Sequence, residues 1–155
     1  MSCRWRELLL VIATFGSSRP VAAQDILEFG AQAIGTFSDP LLAVAGGYGA
    51  VRTSGRTRVS AGLNAGVADS ELAWRGELLG HFLLSPEERR KPGFYFAAGL
   101  AAVEGAVDRG YLILTLGLEA QPRAASGWAL EAGVGGGFRI ALGFRWRRFS
   151  GLATQ

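Results

Sequence analysis

The chain has 155 residues, of which 23 are glycine, 49% are hydrophobic and 19% are charged, whereas soluble domains average about 7% glycine and about 25% charged residues. This length predicts a single domain. One cysteine, Cys3, and one histidine, His81, exclude a disulfide framework, a zinc cluster and a cysteine nucleophile, and we expect no cofactor or metal. A net charge of +3 without a dense basic face argues against nucleic-acid binding.

Residues 1–23 have the pattern of a secretory signal peptide. Arg4 and Arg6 precede an apolar run over 8–15, and small residues follow at 21–23. The run is shorter than the about 20 apolar residues that a membrane anchor needs. We therefore predict cleavage after Ala23 and export of a single domain over 24–155 that is cysteine-free and nearly neutral.

Turn residues recur along the rest of the chain and divide it into eight segments that are too short and too rich in glycine for helices. Within each segment apolar residues alternate with small or polar ones, which is typical of strands. The sequence predicts an all-β fold with antiparallel strands at 27–37, 41–52, 58–68, 71–84, 93–103, 111–120, 127–135 and 138–149.

One face of these strands is apolar and free of charge. In the second strand we assign Leu42, Val44 and Tyr48 to this face. The opposite face carries small residues and a set of charged ones, namely Glu28, Arg58, Arg75, Glu77, His81, Glu119, Glu131, Arg139, Arg145 and Arg147. Alternation alone is compatible with a soluble barrel or sandwich whose apolar face points inward.

Three features favour the reverse, with the apolar face outside. The polar face is mostly glycine and alanine, which suits the crowded lumen of a narrow barrel. Its arginines and glutamates are close to balance, as buried charges must be; the alternative is ordinary surface ion pairs. Finally, aromatic residues on the apolar face recur eight residues apart in three strands, as Phe29 and Phe37, Trp74 and Phe82, and Phe138 and Trp146. Eight residues span roughly 21 Å along the axis of a barrel with tilted strands, which nearly matches the apolar band of a membrane.

The aromatic residues near strand ends are predicted to lie at the two membrane interfaces. They are Phe29, Phe37, Trp74, Phe82, Phe94, Trp128, Phe138 and Trp146. Aromatic girdles of this kind bound the apolar band of membrane barrels. Because no water reaches the hydrocarbon, the strands must close into a barrel without free edges. The prediction is an eight-stranded, antiparallel, up-and-down transmembrane β-barrel.

The exported, cysteine-free chain with eight alternating strands resembles the small eight-stranded outer-membrane β-barrels, the group that includes OmpX and the barrel domain of OmpA. The resemblance covers residues 24 to about 149. Gly143, Phe144, Trp146 and Phe149 resemble the C-terminal signal read by the outer-membrane assembly machinery. Two departures are that residues 150–155 follow this signal, and that the connections expected to face outward are shorter than the inner ones.

The resemblance implies a non-enzymatic, monomeric protein of the cell outer membrane that contacts membrane lipid, with a structural or envelope-integrity role. In this interpretation the arginines and glutamates plug the lumen of the barrel. The alternative is a secreted or periplasmic soluble β-barrel that binds a small apolar ligand. A lipid-modifying enzyme is a distant third, because His81 and Ser85 are poorly placed for an acyl-transfer site.

Overall fold

The computed structural model describes residues 26–86, 91–105 and 108–148. Within them the chain forms eight strands, close to the predicted bounds. They are β1 (Ile26–Phe37), β2 (Leu42–Arg52), β3 (Thr57–Ala68), β4 (Glu71–Leu83), β5 (Gly93–Gly105), β6 (Arg109–Glu119), β7 (Ser126–Val134) and β8 (Phe138–Arg148). No helix among the described residues has the length and apolar character needed to cross a membrane.

Each strand pairs antiparallel with its neighbours in sequence, and β8 pairs with β1, so the sheet is a closed barrel. The closing pair matches Leu27 with Arg148 at one end and Phe37 with Phe138 at the other. Closure leaves no edge strand with unpaired backbone groups. The predicted all-β fold and its eight-stranded up-and-down order are confirmed.

The two ends of the barrel differ in their connections. The lower end, where β1 begins and β8 ends, carries the connections 53–56, 84–92 and 120–125; the upper end carries 38–41, 69–70, 106–108 and 135–137. The tightest upper turn has positive φ at both Asp69 and Ser70, which matches the right-handed twist of the strands it joins. The two longest connections, 84–92 and 120–125, therefore lie at the lower end, as expected.

The outer surface is apolar, whereas the interior holds the charged residues together with small apolar clusters. Leucine, valine and aromatic side chains from all eight strands point outward, and Leu112 is 79% exposed. On the outward face of the described strands, the charged residues are Glu104 and Arg148, each close to a strand end. Exposure of so much apolar surface to water is unfavourable. This polarity is the opposite of the one expected for the soluble alternative, in which the apolar face would line a ligand cavity.

The orientation assigned to β2 is wrong. Leu42, Val44 and Tyr48 point into the barrel, whereas the outward face of this strand consists of small residues and Val51. Apolar side chains stand on one face of β2 and alanine and glycine on the other, so hydrophobicity favoured the bulkier set. Register with β1 and β3 reverses that choice, because Tyr48 pairs with the inward residues Gly30 and Gly62.

Inward glycines make room for tyrosine rings. A Cβ on Gly30 would lie 2.7 Å from the ring of Tyr48, and a Cβ on Gly117 would collide with the ring of Tyr95. Both glycines stand directly opposite their tyrosine on the neighbouring strand. The high glycine content thus allows large aromatic rings to fold over the backbone inside a narrow barrel.

The orientation of β2 can be tested by thiol labelling, because residues 24–155 contain no cysteine. Val51 is 40% exposed and Ala50 is 3% exposed. In the barrel refolded in detergent, we expect a pyrene maleimide to react quickly with Val51→Cys and slowly with Ala50→Cys. Equal reactivity after denaturation is the control. Faster labelling at position 50 would restore the orientation assigned from the sequence.

Candidate functional site in the barrel interior

The lower half of the barrel is organised around Glu28, which is completely buried. Its carboxylate accepts hydrogen bonds from Arg52 Nε at 2.9 Å, Arg58 Nη1 at 3.0 Å and Arg147 Nε at 2.6 Å. These arginines belong to β2, β3 and β8. Charge-assisted hydrogen bonds of this length are stronger than those between neutral groups. The Glu28 side chain therefore connects β1 to β2, β3 and β8.

Glu119 is the second carboxylate of this lower cluster, at the end of β6. Arg147 Nη2 donates to it at 3.0 Å, and Arg145 also pairs with it. The same two arginines reach the 120–125 connection, where Arg145 Nη2 donates to the Gln121 carbonyl at 3.0 Å and Arg147 contacts the Pro122 carbonyl. The lower cluster therefore contains Glu28, Glu119, Arg52, Arg58, Arg145 and Arg147.

The upper cluster consists of Arg75, Glu77, Glu131 and Arg139. Arg75 Nε donates to Glu77 at 2.7 Å, and Arg139 binds the same carboxylate through Nε at 3.2 Å and Nη2 at 2.9 Å. Arg139 Nη1 also donates to Glu131 at 2.7 Å. Two guanidinium groups and two carboxylates balance here, and the planar fork of arginine suits such multiple contacts.

Tyr95 lies between the two clusters. Its hydroxyl donates to Glu131 at 2.8 Å, and its ring lies 5.2 Å from the Arg58 guanidinium and 5.4 Å from the His81 ring. The guanidinium therefore has a cation–π partner as well as a carboxylate. One buried tyrosine thus contacts both halves, by a hydrogen bond to the upper cluster and through its ring to Arg58 and His81.

His81 is paired with Ser60, and the pair is not a general-base dyad. Arg58 Nη2 lies 3.2 Å from His81 Nδ1, and His81 Nε2 lies 2.8 Å from Ser60 Oγ. A guanidinium only donates, so Nδ1 is the acceptor and the ring proton is on Nε2. Nε2 thus cannot remove the serine proton, as a catalytic histidine would. Ser85, the partner considered from the sequence, lies beyond the end of β4.

The structure places all ten polar residues singled out from the sequence in the interior, where each has a charged or hydrogen-bonding partner. Sequence reasoning missed Arg52 and Tyr95. Arg52 shares the inward face of β2 with Tyr48, so the wrong orientation of that strand hid it. Tyr95 alternates with two outward phenylalanines, a signal that could have placed its hydroxyl inside.

The eight predicted interface aromatics all point outward and are 43–61% exposed. Phe37, Trp74 and Phe138 lie towards the upper end, and Phe29, Phe82, Phe94, Trp128 and Trp146 towards the lower. Phe29 stacks on Trp146 across the closing strand pair, with ring centroids 6.0 Å apart. Of the predicted assembly signal, Phe144 and Trp146 point outward and Gly143 inward, whereas Phe149 lies outside the described residues.

Among the described residues, no group of three histidine, cysteine, aspartate or glutamate side chains could hold a metal ion. The carboxylates at the centre of both clusters face guanidinium groups instead. The arrangement is suited to holding strands together by buried ion pairs.

Comparison with known proteins shows the fold alone. No family model and no curated protein sequence matches the chain. Among solved structures, the chain is similar to the N-terminal β-barrel domain of OprF from Pseudomonas aeruginosa, with a TM-score of 0.66 and 13% sequence identity. The match covers 82% of this chain and 100% of that one. The expected resemblance to OmpA-like eight-stranded barrels is thus confirmed for the architecture.

Removal of the Glu77 charge should weaken the barrel, because Arg75 and Arg139 would lose their shared carboxylate. For Glu77→Gln we expect a loss of about 3–5 kcal/mol in the free energy of unfolding, measured by urea titration of the barrel refolded in lipid vesicles. The exposed Glu104→Gln is the matched control and should change it by less than about 0.5 kcal/mol.

A second substitution separates charge imbalance from altered packing. Adding Arg75→Met to Glu77→Gln removes the cation that has lost its carboxylate, because Arg139 keeps Glu131 as a partner. Part of the lost stability should return. Wild-type stability in Glu77→Gln itself would show that the upper cluster contributes nothing.

Proposed function

We propose that the chain is an integral β-barrel protein of the outer membrane of a Gram-negative bacterium, with a structural, non-enzymatic role in the cell envelope. Residues 1–23 direct export and are removed, and 24–155 insert as a monomer. The observation that carries this proposal is the inverted polarity of the barrel, with an apolar outside and an ion-paired inside.

The outer surface supports a lipid surrounding. Between the strand ends it presents leucine, isoleucine, valine, phenylalanine and alanine, and the two outward charges of the described strands lie near strand ends. A charged residue on the lipid face costs about 2–4 kcal/mol at the midplane and little near the interfaces. The distribution of charge along the barrel axis follows that dependence.

The outward aromatics support the same position in the membrane. Two levels of rings enclose an aliphatic zone that includes Leu78, Leu100 and Leu114. Tryptophan and tyrosine favour the headgroup region, because their rings are both apolar and polar. In this proposal the lower level marks the periplasmic interface, since β1 begins and β8 ends there.

The interior supports a structural role. Buried ion pairs run through both halves of the barrel, from Glu28 near the lower end to Arg75, whose Nη1 lies 3.4 Å from Thr36 Oγ1 near the upper end. Side chains are expected to fill an eight-stranded barrel. We infer that these pairs close the lumen to ions and solutes.

Biogenesis follows from the same assignment. The rings of Phe144 and Trp146 point outward from β8, the strand that closes the barrel, and their centroids lie 4.8 Å apart. The OprF domain described above has the same architecture, which supports a similar assembly route. We infer that the segment from Gly143 to Phe149 is read by the outer-membrane assembly machinery.

Fractionation of cells that express the full chain tests the location. We expect the protein in the outer-membrane fraction, resistant to extraction by alkaline carbonate, and migrating faster on gels before boiling than after. Leu114→Arg, at the middle of β6, should reduce the folded fraction, whereas Leu72→Arg, near the upper end, is the matched control and should have little effect. Recovery in the soluble fraction without detergent would overturn the proposal.

Conduction provides a separate test of the closed interior. In planar bilayers the purified barrel should give no steady large currents, because paired side chains occupy the lumen. A general porin in the same bilayers serves as the positive control. Steady currents comparable with those of the porin would contradict the closed lumen while leaving the membrane location intact.

A further inference from the structure

A cavity of about 30 Å³ lies in the middle of the barrel, between the lower and upper clusters. This volume holds one or two occupants of the size of a water molecule. Its lining includes Gln32, Tyr48, Arg58, Ser60, His81 and Arg145. Most of these side chains carry hydrogen-bond donors, and the carboxylate that also lines it, Glu131, is already bound by Arg139 and Tyr95.

The charges on the inward side chains of the described residues do not balance. The upper cluster has two guanidinium groups and two carboxylates, but the lower cluster has four guanidinium groups and two carboxylates. The excess positive charge therefore belongs to the lower cluster, which borders the cavity through Arg58 and Arg145. Excess charge in a buried, low-dielectric site is strongly destabilising unless a counter-charge is present.

Two of the guanidinium groups at the cavity have unused donors. Arg58 Nε and Arg145 Nε are buried without a hydrogen-bond partner, although the two residues are only 5% and 1% exposed. A buried donor attached to a charged group costs more to leave unpaired than a neutral one. Both residues line the same cavity, so one small acceptor there could satisfy donors from both.

Ser60 contributes a third donor. His81 Nε2 carries the ring proton and donates it to Ser60 Oγ, as the contact of Arg58 with Nδ1 requires. The serine hydroxyl accepts that bond, so its own proton remains available for donation. Ser60 lines the cavity, and its hydroxyl can point into it.

We propose that this cavity binds a small monovalent inorganic anion of the halide class, with chloride as the physiological example. A halide accepts several hydrogen bonds and, unlike water, carries no protons that need an acceptor. It is only moderately larger than a water molecule, so it fits a cavity of about 30 Å³ where sulfate or an organic carboxylate does not. Its negative charge offsets part of the excess positive charge of the lower cluster. By accepting hydrogen bonds from Ser60, Arg58 and Arg145, the anion also links β3 to β8.

Stability measurements test the site on the barrel of residues 24–155 refolded in detergent. Sodium chloride replaces sodium gluconate at constant ionic strength, so general screening stays the same. We expect the thermal unfolding midpoint to rise with the logarithm of chloride concentration above the dissociation constant and to rise similarly with bromide. Sulfate should give only the gradual, linear rise of a salt that is excluded from the protein surface. Identical midpoints in chloride and gluconate would overturn the proposal and indicate water in the cavity.

Ser60→Ala separates this site from general anion binding, because it removes one donor and leaves every arginine in place. We expect about tenfold weaker chloride binding, as for loss of one hydrogen bond to a charged group, so the rise of the midpoint should begin at about tenfold higher chloride concentration. Ser126→Ala, at an exposed position on β7, is the matched control and should keep the wild-type dependence. An undiminished chloride effect in Ser60→Ala would place the binding elsewhere and overturn the proposal.

Chloride-35 NMR gives a readout independent of stability. Exchange of chloride with the cavity should broaden its signal in wild-type and Ser126→Ala samples, and less so in Ser60→Ala. Equal broadening in all three would indicate binding to surface arginines instead. Heat-modifiable gel migration in gluconate reports barrel formation separately, so failure of the anion site is distinguishable from failure of the membrane-barrel proposal.

Discussion

The pairing of the wholly buried Glu28 carboxylate with three arginines is the interaction on which the barrel most depends. The carboxylate receives guanidinium groups from β2, β3 and β8, and its contact with Arg147 joins the first strand to the last. A buried ion that loses its partners is costly, so the carboxylate and arginines require one another and the closed sheet that brings them together. Strand closure and charge neutralisation are in this sense a single constraint.

The narrowness of an eight-stranded barrel explains the rest of the composition. Side chains meet across the lumen, so paired charges and rings that lie over glycines share the interior with small residues and with apolar clusters such as the one around Ile34 and Val44. Tyr48 over Gly30 and Tyr95 over Gly117 are the clearest cases of rings over glycines. Arginine provides all six buried cations of the described strands, because its planar fork serves two carboxylates or a carboxylate and a carbonyl at once.

The outside follows the opposite rule. With charges and hydrogen bonds directed inward, the surface between the aromatic levels retains only apolar side chains, which suits hydrocarbon and not water.

The His81 and Ser60 pair shows how the interior constrains chemistry. Arg58 donates to the histidine and thereby fixes its proton on the side of the serine, so a pairing that resembles a catalytic dyad serves packing and donor orientation.

The sequence by itself determined the number of strands, their approximate bounds and the inward or outward side of seven of them, because side chains alternate with a period of two and charge marked one face. It also identified most members of both ion-pair clusters. Only the tertiary structure decided the orientation of β2, where hydrophobicity favoured Leu42, Val44 and Tyr48 over alanine and glycine as the outward set, and so revealed Arg52. It also decided which arginine meets which carboxylate, since strand register and barrel closure bring together residues as distant in sequence as Glu28 and Arg147.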